Sequence, residues 1–121
     1  MGRGFSIAAR LRSFGRAFEG IWQVLRHEHN AWIHALVMLG VVAASLLLEV
    51  SAADWRWLVV AMVMVWTAEC FNTALERLAD SVTRESHPLI GQAKDIAAGA
   101  VLIAAMGAAV IGVLVLGPYL W

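Results

Sequence analysis

The 121-residue chain is 61% hydrophobic and 15% charged, and its nine basic and nine acidic residues cancel. Soluble domains run near 45–50% apolar and about 25% charged, and one this small has too little interior to hide the excess. Disorder is excluded by the high hydrophobicity and nucleic-acid binding by the lack of a basic excess, which leaves a small integral membrane protein.

Residues 5–27 place Leu11, Phe14, Phe18, Ile21, Trp22 and Leu25 at spacings of three and four, opposite Arg10, Arg12, Arg16 and Arg26. This pattern predicts an amphipathic helix in the plane of the membrane, its basic face toward anionic headgroups. The first apolar run begins near Asn30, too late and too long for a cleaved secretory signal, so Met1 is expected near the mature start. No Asp, Glu, Lys or Arg occurs from His29 to Leu48, which predicts a first span over 30–48. A second apolar run begins at Trp57 and keeps helix-compatible residues through Glu69 to Asp80, giving a span over 56–80 if its carboxylates are tolerated. The segment Glu85-Ser86-His87-Pro88 through Lys94-Asp95 reads as a loop into a third span over 95–117, closed by Gly117-Pro118. Along this last span Ala100, Ala104, Ala108 and Gly112 form a ladder of small residues that lets helices approach closely.

Charge asymmetry orients the helices. Arg3, Arg10, Arg12, Arg16 and Arg26 precede the first span, and Arg77, Arg84 and Lys94 connect the second to the third. The other connection carries only Arg56, offset by Glu49 and Asp54, so the N-terminus is expected in the cytoplasm and the C-terminus outside. Trp55, Trp57, Tyr119 and Trp121 then make an outer aromatic belt, with Trp22 and Trp32 near the inner surface. The lone cysteine, Cys70, can form no intrachain disulfide and reads as a small packing residue.

On the second span Glu69, Asn72, Glu76 and Asp80 fall at about 0°, 300°, 340° and 20° around the helix, one narrow face with Thr73 on its edge. A charged group in a span costs on the order of 3 kcal/mol, so such a row calls for a functional return. With the helix entering near Trp55, Glu69 lies about 21 Å along it, in the cytoplasmic leaflet, and Glu76 about 10 Å further, at the inner boundary. The carboxylates thus step from lipid depth into cytoplasmic water, a geometry suited to a reaction between a lipid group and a soluble reagent. Lys94 can neutralise phosphate, and Glu85 and Asp95 can accept hydrogen bonds from a base or ribose. Glu28 stands at a depth like that of Glu76, and two such carboxylates suit Mg²⁺, a cation of oxygen ligands and bound phosphates. Asp80 is a supporting residue with Arg77 and Arg84 as helix-neighbour partners. His27, His29 and His34 read as interfacial or packing residues, since their spacing denies all three one helical face. No soluble nucleotide-binding loop is present.

The run Glu69-Cys-Phe-Asn-Thr-Ala-Leu-Glu76-Arg-Leu-Ala-Asp80, followed by His87-Pro88 and Ala93-Lys94-Asp95-Ile-Ala-Ala-Gly-Ala-Val, closely resembles the prokaryotic small membrane lipid kinases, the diacylglycerol and undecaprenol kinases. The resemblance extends from about Ser13 to Ile111. It implies an all-α homotrimer of three-span subunits with an amphipathic surface helix, active sites shared between neighbours, and MgATP as phosphoryl donor. Carried over by motif, Glu69 is the general base, Glu28 and Glu76 hold the metal, and Asn72 and Lys94 contact phosphates. Glu85, Ser86, His87 and Asp95 surround the nucleotide. Ser13-Phe14, Ala17, Gly20 and Glu28-His-Asn30-Ala-Trp-Ile-His34 look more like the undecaprenol kinases; diacylglycerol kinases typically carry a second acid where His34 stands. The implied activity is transfer of the γ-phosphoryl of ATP to a lipid alcohol, undecaprenol ahead of diacylglycerol. A different class of function also uses one buried acid: a small proton-coupled transporter or ion-translocating subunit. That reading wants the acid nearer the midplane and leaves Glu28, Lys94 and Asp95 without work.

Overall fold

The computed structural model describes residues 4–121, so Arg3, counted above among the cytoplasmic arginines, lies outside the described residues. These fold into four α-helices, α1 (Ile7–His27), α2 (His29–Leu47), α3 (Ala52–Val82) and α4 (Pro88–Leu120), with no strand among them. Three of the four, α2 to α4, are long and apolar enough to cross a membrane. The chain is an all-helical integral membrane protein.

Helix α1 starts where the Ser6 hydroxyl accepts a hydrogen bond from the Ala9 N–H at 3.3 Å, and it ends with Arg26 and His27 in its last turn, where cations suit the helix dipole. Its apolar stripe finds no cover in the chain: Leu11, Phe14 and Phe18 are all exposed. Only Val24, near its C-terminal end, is buried, and there Arg77 of α3 donates to the Gln23 carbonyl oxygen at 2.6 Å. A single extended residue, Glu28 (φ −100°, ψ 119°), both ends α1 and begins α2. The Trp32 indole N–H reaches back across this junction to the Leu25 carbonyl at 2.6 Å, satisfying one of the acceptors that the end of α1 leaves open.

The turn from α2 to α3 is a Schellman motif. The Val50 N–H bonds the Ser45 carbonyl (3.1 Å) and the Glu49 N–H bonds the Leu46 carbonyl (3.3 Å), with Glu49 in the left-handed region at φ 51°. Glycine usually fills that position because it has no Cβ to clash. Ser51 then caps α3 by accepting from the Asp54 N–H, and the Tyr119 hydroxyl donates to Asp54 (2.7 Å) while accepting from the Ser51 N–H (3.1 Å). Below this network Val50, Leu58 and Val115 form a buried cluster bordered by Trp55 and Ile111.

Helix α4 packs along α3, and α2 touches α3 over a smaller area. At Gly107 a Cβ would sit 3.2 Å from the Met64 methyl, so the glycine permits the close approach of α3 and α4. Of the small-residue ladder, Ala104 is buried while Ala100 is exposed. A four-residue step drifts about 40° around a helix of 3.6 residues per turn, so one ladder cannot stay on one face.

Several boundaries differ from the sequence reading: α3 already begins at Ala52 rather than at 56, and both ends of α4 move. The expected loop through Asp95 is already helical from Pro88, because proline is pre-organised for the first position of a helix, where its missing N–H is no loss. Gly117-Pro118 does not close α4, which runs on to Leu120. Pro118 falls in the final turn, and the anchored Tyr119 holds that turn on α3.

Candidate functional site

The face of α3 singled out by its polar spacing is the face that the fold buries. Glu69 is 1% exposed, and Asn72 and Thr73 are buried beside it, among mainly apolar neighbours. Glu69 Oε2, Asn72 Oδ1 and Thr73 Oγ1 have no hydrogen-bond partner among the described residues. Buried polar atoms are almost always satisfied, so three orphaned oxygens within two turns mark a place where a ligand, water or neighbouring chain belongs. Packing against α2 and α4 therefore buries a polar strip of α3.

Glu69 has one basic neighbour. His34 Nε2 of α2 lies 3.5 Å from Glu69 Oε2. The charges of Glu28, at the start of α2, and of Glu76, two turns along α3, also lie close enough to act on Glu69. Three carboxylates and an imidazole thus share one electrostatic environment, built from two helices and the junction before them. Glu28 and Glu76 are half-buried. Among the described residues no three His, Cys, Asp or Glu side chains converge as a metal cage. Two carboxylates with nearby unpartnered oxygens nevertheless fit Mg²⁺, which is commonly held by one or two carboxylates together with substrate phosphates.

The remaining residues of interest lie at the α3–α4 end. Lys94 Nζ donates to Asp80 Oδ1 at 2.6 Å, tying the second turn of α4 to the last turns of α3. The sequence offered Arg77 or Arg84 as the partner of Asp80. Arg77 bonds Gln23 instead, because α1 lies beside it. Glu85, Ser86, His87 and Asp95 are exposed, and the Glu85 N–H is held by the Thr83 hydroxyl at 3.0 Å. His87 precedes α4 without a side-chain cap, which leaves the first-turn N–H groups of that helix facing outward.

A shallow cavity of about 350 Å³ separates α1 from α3, lined by Ala17, Gly20, Ile21, Val24, Cys70 and Arg77 among others. Thr73 also lines it, so the cavity meets the edge of the polar face of α3.

Sequence reasoning set His34 aside as a packing or interfacial group and left Thr73 on the edge of the row. The structure puts the first against Glu69 and buries the second. The available signal was His34 itself, a titratable side chain in the second turn of an otherwise apolar span.

The family model described as prokaryotic diacylglycerol kinase matches residues 15–116. The chain is 37% identical over 109 residues to the undecaprenol kinase of Bacillus subtilis, covering 90% of this chain and 89% of that protein. It is also 37% identical over 109 residues to a diacylglycerol kinase of Synechocystis, covering 89% of this chain and 62% of that longer protein. To the diacylglycerol kinase of Escherichia coli K12 it is 36% identical over 91 residues, covering 69% of this chain and 71% of that one.

Proposed function

Since the chain belongs to the prokaryotic diacylglycerol kinase family of membrane lipid kinases, we propose that it transfers the γ-phosphoryl of MgATP to the hydroxyl of a lipid alcohol at the cytoplasmic face of the inner membrane, with undecaprenol preferred to diacylglycerol. Family membership decides between the kinase and the transporter readings of the buried acid. The observation that carries the reaction is Glu69: a carboxylate buried in a span and unpartnered at Oε2, with the charges of Glu76 and Glu28 near enough to act on it.

In this mechanism the whole chain acts as one domain, its N-terminus cytoplasmic and its C-terminus outside. The acceptor lies in the inner leaflet with its hydroxyl against Glu69, which takes the proton as the oxygen attacks phosphorus. A carboxylate partly removed from water is a stronger base toward an alcohol than a solvated one. Asn72 and Lys94 contact phosphate oxygens, so Lys94 exchanges its Asp80 partner for phosphate when the nucleotide arrives. Glu85, Ser86, His87 and Asp95 flank the nucleotide at the uncapped start of α4, where outward N–H groups favour anions. Glu28 and Glu76 would hold Mg²⁺, which would supply neutralisation of the charge that builds on the transferring group. Phosphoryl transfer is mostly positioning and charge neutralisation, which this small set of side chains can provide.

The orphaned oxygens and the broad apolar surfaces of α2 and α3 also support assembly, and the arrangement proposed is a homotrimer with sites completed between neighbours. Preference for undecaprenol rests on the similarity to the Bacillus subtilis protein and on His34, which stands where an acid is typical of diacylglycerol kinases. The deciding experiment is competition between undecaprenol and diacylglycerol for labelled phosphate from ATP, with purified protein in mixed micelles. A dominant undecaprenyl phosphate product supports the reading, and a dominant phosphatidic acid product reverses the preference. Label in neither lipid ends the kinase assignment.

A further inference from the structure

Glu69 is a buried acid that must be emptied of its proton once per turnover. If it accepts the acceptor's hydroxyl proton, the enzyme is left with a neutral carboxylic acid that is 1% exposed and has no direct route to bulk water. Both arginine and lysine near the site are engaged elsewhere: Arg77 with Gln23 and Lys94 with Asp80. His34 alone stands against Glu69, its Nε2 at 3.5 Å from Oε2. Unlike Glu69 it is not enclosed by the chain: its side chain remains 21% exposed, little more than one turn from the expected cytoplasmic end of α2. An imidazole with one nitrogen on a buried acid and a partly open ring is built to pass a proton outward.

Resting on the kinase reading, we infer that His34 is a positioning and proton-relay residue that orients Glu69 and returns it to the carboxylate form after each transfer. The step balances as follows. The acceptor O–H bond breaks, its proton passes to Glu69, the acceptor oxygen bonds the γ-phosphorus, and the bond to ADP breaks with ADP carrying away the electron pair. The Glu69 proton then passes to neutral His34 Nε2, and the resulting imidazolium releases a proton to water. A movement of about 0.5 Å brings the two atoms within ordinary hydrogen-bond range, within the reach of a rotamer adjustment. The other titratable or charged groups around the pair have different positions: Glu28 before α2, Glu76 and Cys70 on α3, and Lys94 and Asp95 on α4. From α1, Gln23 engages Arg77. None of them is in ion-pair contact with Glu69.

The test uses the full chain in mixed micelles with MgATP and the lipid alcohol that the unaltered protein phosphorylates. His34→Gln keeps the size and a hydrogen-bonding group but cannot relay, and His34→Ala leaves an imidazole-sized gap. Both are expected to lower kcat by about 10- to 100-fold, with KM for ATP and lipid changed less than about threefold. Added imidazole is expected to restore at least about tenfold in His34→Ala and nothing in His34→Gln, a rescue that a purely structural histidine would not show. Unchanged kcat in His34→Gln, or no rescue of a folded His34→Ala, overturns the relay. Should neither variant fold, the unaltered protein decides: a solvent deuterium isotope effect on kcat above about two supports the relay, and its absence overturns it. Unaltered protein that phosphorylates no lipid alcohol refutes the kinase reading itself, an outcome distinct from active His34 variants.

Discussion

Glu69→Gln is expected to move activity and stability in opposite directions. The amide has the shape of the carboxylate but neither its charge nor its basicity, so it fits the same place. Turnover should fall by about 10²- to 10⁴-fold, the usual contribution of a positioned general base. The stability change is a balance of two terms. A charge buried in a span costs about 3 kcal/mol on insertion scales, and the polar contact with His34 at 3.5 Å offsets part of that. Losing the carboxylate strands no buried charge, because the glutamine amide can still meet His34 Nε2. A gain of about 1–2 kcal/mol therefore remains, visible as a higher unfolding midpoint in detergent. The assays are coupled ATP turnover with lipid alcohol, nucleotide binding, and thermal unfolding on the same preparation. Nucleotide binding should persist. Near-normal turnover would refute the base, and a loss of about 2 kcal/mol would refute the claim that the buried charge strains the fold.

Other consequences are open to measurement. Glu49→Gly should stabilise the protein by about 0.5–1 kcal/mol in denaturant titration, since Glu49 holds a left-handed backbone that glycine adopts freely. Tyr119→Phe removes the hydroxyl that joins Asp54 to the Ser51 N–H and should cost about 1–2 kcal/mol, with turnover within twofold because the network lies at the far end of the bundle. Removing divalent cations with chelator should abolish turnover, and Mg²⁺ should restore it; turnover that survives complete chelation would remove the metal role from Glu28 and Glu76.

The membrane class, the helices and the polar face of α3 are legible in the amino-acid sequence because they depend on local pattern: a charge-free run, a 3.6-residue period, a row of carboxylates. What escaped depends on pairing between distant residues. The Asp80 partner is Lys94 rather than a neighbour on its own helix, since α4 begins at Pro88 and brings Lys94 alongside within two turns. The sharp turn after α2 gave no glycine signal, because Glu49 occupies the position that glycine normally marks. His34 could be counted as an oddity inside a span, but its role as the neighbour of Glu69 emerges only when α2 is laid against α3.

The one-residue junction at Glu28 has a mechanical corollary. No slack separates the surface helix from the first crossing helix, and the Trp32 indole clamps the two together. Any rocking of α1 against the headgroups must be absorbed by the backbone torsions of Glu28, the residue proposed to hold the metal. Bilayer thickness and lateral pressure thereby acquire a lever on the chemistry, with Glu28 as its fulcrum.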